Sequence, residues 1–154
     1  MALQHPVPGK QLQHIGDITV SFELLLSEIQ SLIWKLLDQD QRVGQIITSE
    51  LSFRNLLNLL SSLYLEKKGQ DDKSEKLNDL LKKANEIEGT RNGITHSIWG
   101  AGKDIEHITR IKTTAKQKAG LRFVFEEVSA SSLSDFATEI KTLAGEIQEF
   151  RLEL

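Results

Sequence analysis

Residues 91–99 read Arg-Asn-Gly-Ile-Thr-His-Ser-Ile-Trp, gathering a guanidinium, a carboxamide, an imidazole, hydroxyls and an indole into less than three helical turns. A guanidinium offers a planar fork of donors suited to anions, and an imidazole exchanges protons near neutral pH. The rest of the chain is built from plain amphipathic repeats. If the protein carries out chemistry, this segment is where the residues for it lie.

Projecting the segment as helix, at about 100° per residue, sets Arg91 between Ala84 and Ile98 in the middle of an apolar stripe. A buried guanidinium is costly unless paired, so either Arg91 has a partner such as Glu88 or Glu50, or that surface is an open groove. Glu88, Thr95 and Trp99 fall on one side of it, with Asn92 and His96 just beyond at one-turn spacing. Gly89 and Gly93 are unfavourable in a helix interior. They suggest a kink, a close crossing or room for something to approach the backbone.

Composition bounds what the scaffold can be. The chain has 154 residues with 39% apolar content, which is one domain able to bury a core unaided. It has no cysteine, which excludes disulfides, thiolate nucleophiles and Cys-ligated zinc and suits a reducing, cytoplasmic setting. The net charge is −3, so attraction to nucleic acid or anionic lipid has to be local. No run approaches the roughly 18 apolar residues of a membrane span, and Met1–Gly16 lacks the apolar stretch of a signal peptide. The expectation is a soluble protein with no membrane association, residues 1–14 forming a flexible tail and 15–154 a single domain.

After Pro8 there is no proline, so long helices are permitted. Four are expected. The first runs from Ile15 to about Asp38, with Ile18, Phe22, Leu25, Ile29, Leu32, Ile33 and Leu36 on one face. The second runs from Gln41 to Lys68, with Val43, Ile46, Ile47, Leu57, Leu60 and Tyr64. The third starts at the candidate N-cap Ser74 and follows Leu77, Leu80, Leu81, Ala84, Ile87, Ile94 and Ile98. The last starts near Ser131 or Ser132 and follows Leu133, Phe136, Ile140, Leu143, Ile147 and Phe150. Between the third and fourth, 107–113 and 121–128 alternate in two-residue steps, predicting a β-hairpin over about 105–129 with 114–120 as its turn. The predicted fold is therefore all-α, a four-helix up-down bundle with a β-hairpin inserted before the last helix. Within 103–122, Lys103, Arg110, Lys112, Lys116, Lys118 and Arg122 outnumber Asp104 and Glu106, a local basic patch on an acidic protein.

Arg91-Asn92, three further residues and His96 match an arginine–polar–x3–histidine signature, and on this motif and the helical setting the chain resembles HEPN domains (higher eukaryotes and prokaryotes nucleotide-binding). The resemblance implies a small helical bundle that forms a homodimer, and a metal-independent endoribonuclease of the toxin or defence-associated kind. RNA would be its substrate and a cognate antitoxin its partner, with no metal or other cofactor. In that reading Arg91 grips the phosphate, Asn92 binds it or orients the histidine, and His96 handles the proton steps. Thr95 and Ser97 would be further donors, Trp99 would stack on a base, and Lys103, Arg110 and Lys112 would guide the RNA backbone.

Each element also has a plain structural reading. His96 is a hydrogen-bonder at a bundle edge, Trp99 and Trp34 are core or interface anchors, and the basic residues are the solvated face of an edge ribbon. Glu126-Glu127 and Asp71-Asp72 read as solvated charges. His5, His14 and His107 lack metal-ligand spacing, and neither a phosphate-cradling glycine loop nor a serine-nucleophile elbow is present. The competing function class is a non-catalytic helical interaction or nucleotide-binding module.

Overall fold

The computed structural model describes residues 1–116 and 120–154. In chain order they form α1 (Gly9–Leu37), α2 (Gln41–Thr48), α3 (Phe53–Lys68), α4 (Asp72–Thr95), β1 (Ile98–Ala101), β2 (His107–Lys116), β3 (Gly120–Ser129) and α5 (Ala130–Leu152). The expected four-helix bundle with an inserted hairpin is thus corrected to five helices and a three-stranded antiparallel sheet, of strand order β1-β2-β3. The chain divides into two compact units. One comprises Ser21–Thr90 and Glu139–Leu154, and the other Met1–Val20 and Arg91–Thr138.

The first unit is helical and its core follows the apolar periodicity. Leu25, Ile29, Leu32 and Ile33 of α1, Leu56 and Leu60 of α3, Leu77 and Ala84 of α4, and Ile140, Ile147 and Phe150 of α5 are buried. Aromatic pairs lock the helices together, with ring centroids 4.9 Å apart for Phe22 and Phe53 and 5.8 Å for Tyr64 and Phe150. The Tyr64 hydroxyl reaches Asp71 Oδ1 at 3.2 Å; burial, then the Asp71 charge, pushes its pKa up.

The helix read as one element over 41–68 is two. Asp40 accepts from Val43 N at 3.0 Å and Ser52 from Asn55 N at 3.3 Å, so each piece has its own N-cap. Between them Thr48 Oγ1 accepts from Trp34 Nε1 at 3.0 Å and donates to Gly44 O at 2.9 Å. Trp34 lies so close over Gly44 that any Cβ there would meet its ring, which anchors α2 to α1 through an indole. Val43, Ile46 and Ile47 are consequently exposed instead of continuing the α3 stripe. At the start of α4 it is Asp71, not Ser74, that caps: Ser74 N donates to Asp71 Oδ1 at 2.7 Å, and Asp71 N donates back to Ser74 Oγ at 3.1 Å.

The second unit carries the sheet. Its helical start lies at Gly9, inside the segment expected to be a tail, and Gln11 is buried, donating from Nε2 to Ile105 O at 2.7 Å. The strands pair in register Ile98↔Ile111, Trp99↔Arg110 and Ala101↔Ile108 between β1 and β2. Between β2 and β3 the register runs from His107↔Ser129 to Lys116↔Gly120. The expected seven-residue turn is therefore shorter, since pairing continues to Lys116. Residues 117–119, including Lys118 of the basic segment, lie outside the described residues. Gly120 takes φ +68°, a left-handed conformation that glycine adopts without Cβ strain. Ile18, Ile94, Ile108, Ala130, Leu133 and Ala137 form the buried apolar set of this unit.

Candidate functional site

The motif segment lies at the C-terminal end of α4 and the turn that follows, within the sheet-bearing unit. The last carbonyls of a helix lack intrahelical donors, and here the motif's own residues supply them. Thr95 Oγ1 donates to Arg91 O at 3.1 Å, His96 N to Asn92 O at 3.1 Å and Trp99 Nε1 to Ile94 O at 3.0 Å. The Ser97 hydroxyl donates to Gly93 O. These bonds end the helix at Thr95 and turn the chain into β1. That corrects the helical stripe drawn through Ile98 and the helical projection of Trp99, because both residues stand on a strand.

Three motif side chains are not engaged in this cap. Arg91 is half-buried and its Nη1 donates to Asn92 Oδ1 at 3.1 Å, so the guanidinium and carboxamide are coupled side by side. His96 follows one turn later and is exposed; among the described residues its imidazole makes no hydrogen bond. The structure thus keeps the arginine, the amide and the imidazole on consecutive turns, and Thr95 and Trp99, expected to meet RNA, also carry hydrogen bonds within the helix cap.

The expected basic track is largely neutralised, because the β2–β3 register sets Arg110 opposite Glu126 and Thr109 opposite Glu127. Arg110 Nε donates to Glu126 Oε2 at 3.1 Å, and Lys112 Nζ approaches the same oxygen at 3.3 Å. The Arg110 side chain is only 12% exposed and lies over α4: a Cβ at Gly93 would stand 3.0 Å from its Nη1. Gly93 therefore provides the close approach that its sequence position suggested, whereas nothing lies near Gly89. The hydrogen bond from Arg110 above all, then that from Lys112, holds the Glu126 carboxyl below the ordinary glutamate value. Glu127 accepts from Thr109 Oγ1 at 2.6 Å and from Lys103 N at 3.1 Å, which lowers its pKa as well. Lys103 keeps an exposed side chain, and its charge adds to the lowering of the Asp104 and Glu127 carboxyls.

A second imidazole, read in the sequence only as lacking metal-ligand spacing, has a carboxylate partner. His107 Nδ1 lies 2.6 Å from Asp104 Oδ1, and that hydrogen bond holds Asp104 below its ordinary pKa. Asp104 Oδ1 also accepts from Glu106 N at 3.0 Å, and Asp104 O from His107 N at 3.2 Å. The pair belongs to the tight turn between β1 and β2. An aspartate three residues before a histidine, just after Gly102-Lys103, is the signal that marks such a turn. Among the described residues no group of three or more His, Asp or Glu side chains is placed to hold a metal ion, and no helix is long and apolar enough to cross a membrane.

No family model, no curated protein and no solved structure matches the chain. The reading of the site therefore stands on its residues and geometry.

Proposed function

We propose that the end of α4 is a phosphodiester site and that the protein is a metal-independent, HEPN-like endoribonuclease acting in the cytoplasm as a homodimer, of the toxin or defence-associated kind, with a cognate antitoxin as its protein partner. One observation carries the reading. The cap at the end of α4 is built by Thr95, Ser97 and Trp99, while the His96 imidazole, one turn after the Arg91–Asn92 pair, is open to solvent.

The chemistry follows from the groups. A neutral imidazole takes the proton of a ribose 2′-hydroxyl, whose oxygen attacks the adjacent phosphorus. The P–O5′ bond breaks, leaving a 2′,3′-cyclic phosphate, and the departing 5′-oxygen takes a proton. Arg91 places its guanidinium charge toward the equatorial phosphate oxygens as charge builds there. Asn92 holds that guanidinium in place through its Oδ1. His96 is the one imidazole of the motif in each chain, so a second copy supplies the proton donor when the first acts as base.

The test is cleavage of RNA by purified protein in EDTA, comparing His96→Ala and Arg91→Ala with the parent. Each variant is expected to lose the activity, and undiminished cleavage by both variants refutes the assignment.

A second reading, a non-catalytic interaction or nucleotide-binding module, is favoured by the Glu126 and Glu127 contacts that neutralise the basic strands. It predicts no cleavage under any condition, with nucleotide or protein binding retained in His96→Ala.

A further inference from the structure

β3 stands at the edge of the sheet, and it is long, apolar and uncovered. It spans 10 residues, none of them fully buried. Leu121, Phe123 and Phe125 are 61%, 57% and 67% exposed. Edge strands are ordinarily blunted by proline, lysine, a bulge or short length. β3 has neither proline nor lysine and pairs with β2 without a bulge from Gly120 to Ser129. Such an edge offers a row of backbone donors and acceptors to another strand.

The order of side chains along β3 points to what covers it. Leu121-Arg122-Phe123-Val124-Phe125-Glu126-Glu127 is nearly self-complementary about Val124. When the strand meets an antiparallel copy of itself with Val124 opposite Val124, Arg122 falls opposite Glu126 and Phe123 opposite Phe125 on both sides of the two-fold axis, and only the outer pair, Leu121 opposite Glu127, is mismatched. Sliding by one residue about the centre destroys this. Centring on Phe123 sets Glu126 against Gly120 and Arg122 against Val124. Centring on Phe125 sets Phe123 against Glu127 and Val124 against Glu126. Opposite charges and aromatic pairs in direct cross-strand positions are favourable, and a carboxylate opposite a phenyl ring is not.

We infer that β3 is a self-association edge, where two copies of this chain pair antiparallel about Val124 and join their two three-stranded sheets into one continuous sheet. The register extends a charge row that already exists within one chain: Arg110, Glu126 and then Arg122 of the second copy alternate in sign across three adjacent strands. The two-fold axis runs normal to the sheet, so the apolar face of one copy continues into that of the other. That face holds Leu121, Phe123 and Phe125 with the cross-strand row Ile98, Ile111 and Phe125. The interface is isologous and closes on itself, so it yields a dimer instead of a fibre. It rests on the sheet edge alone and holds whether or not the end of α4 cleaves RNA.

The chain contains no cysteine, which makes the register directly readable. In Val124→Cys the introduced thiol faces its own copy across the axis, so mild oxidation of the full chain gives a covalent dimer on non-reducing gels at low protein concentration. Ile46→Cys, exposed on α2, reports random collision and stays monomeric. Arg122→Glu, also exposed, sets like charges opposite one another and is expected to weaken the dimer at least about 10-fold in sedimentation equilibrium, with the far-UV CD spectrum unchanged. The inference is overturned if Val124→Cys links no faster than Ile46→Cys, or if Phe123→Cys links in its place. It is equally overturned if the parent sediments as a monomer, an outcome that would assign the edge to a strand from a different protein.

Discussion

The helical unit and the sheet-bearing unit handle apolar surface in opposite ways. In the first, Leu25, Ile29, Leu60, Ile140 and Ile147 vanish into a core whose helices present them at three- and four-residue spacing. In the second, Ile98, Leu121, Phe123 and Phe125 stand in solvent while polar groups are tied down, from the cap at the end of α4 to Glu126 between Arg110 and Lys112. One unit is finished by its own packing, whereas the other leaves an imidazole and a strand edge open. On the proposed function, stability and activity are lodged in different residues, and that separation can be broken experimentally.

His96→Ala tests it most severely. General acid–base groups contribute typically about 10²–10⁴-fold, so RNA cleavage is expected to fall by that factor, while the thermal midpoint stays within about 1 °C because the side chain is exposed and surface substitutions of this kind cost little. A large fall in the midpoint would make His96 architectural and collapse the contrast.

Leu60→Ala is the mirror experiment, since Leu60 is fully buried in α3. It is expected to cost about 2–5 kcal/mol in denaturant unfolding through lost burial and a residual cavity. Cleavage per folded molecule should be unchanged at temperatures where the variant remains folded.

Trp99→Phe removes one donor from the α4 cap and leaves Ile94 O without the indole N–H. The expected loss is about 1 kcal/mol, read from the urea midpoint, and base stacking would instead appear as weakened RNA binding with no change in stability.

Acid supplies the gentlest probe. Because the Glu126 pKa is lowered in the folded chain from its ordinary value of 4.5, its ionised form stabilises the β2–β3 pair above that value. The stabilisation is lost as pH falls through the lower folded value. With 47% of the side chain exposed, solvent screens the effect and keeps it small. Glu126→Gln should therefore melt slightly below the parent at neutral pH, and the two curves should converge at acid pH, once Glu126 is protonated in the folded chain. An equal gap at both pH values would mean that the charge is irrelevant to the strand pair.

What was legible in the residues divides along the same line. The stripe from Phe22 to Leu36 and that from Leu77 to Ile87 read correctly, because a long amphipathic helix repeats one signal many times. The two-residue rhythm of 107–113 and 121–128 likewise marked strands. Failure came where signals were short or ambiguous. Ile94 and Ile98 are four residues apart, a spacing that a helix and a helix followed by a strand both satisfy, so the four-residue β1 passed for helix. The period of Val43, Ile46 and Ile47 masked the cap Ser52 that splits one expected helix into two. Glu126 and Glu127 looked like solvated charges because their partners depend on a register that the turn length left open.

The amino-acid order alone determined which segments are amphipathic, which lack cysteine chemistry, and that arginine, amide and imidazole cluster at 91–96. These are local properties, set by spacing along a backbone of known pitch. Tertiary structure decided which of those side chains remain available. Capping bonds claimed Thr95, Ser97 and Trp99, strand register gave Arg110 and Lys112 to Glu126, and sheet order left β3 at an edge. Availability depends on partners far along the chain, and no periodicity encodes it.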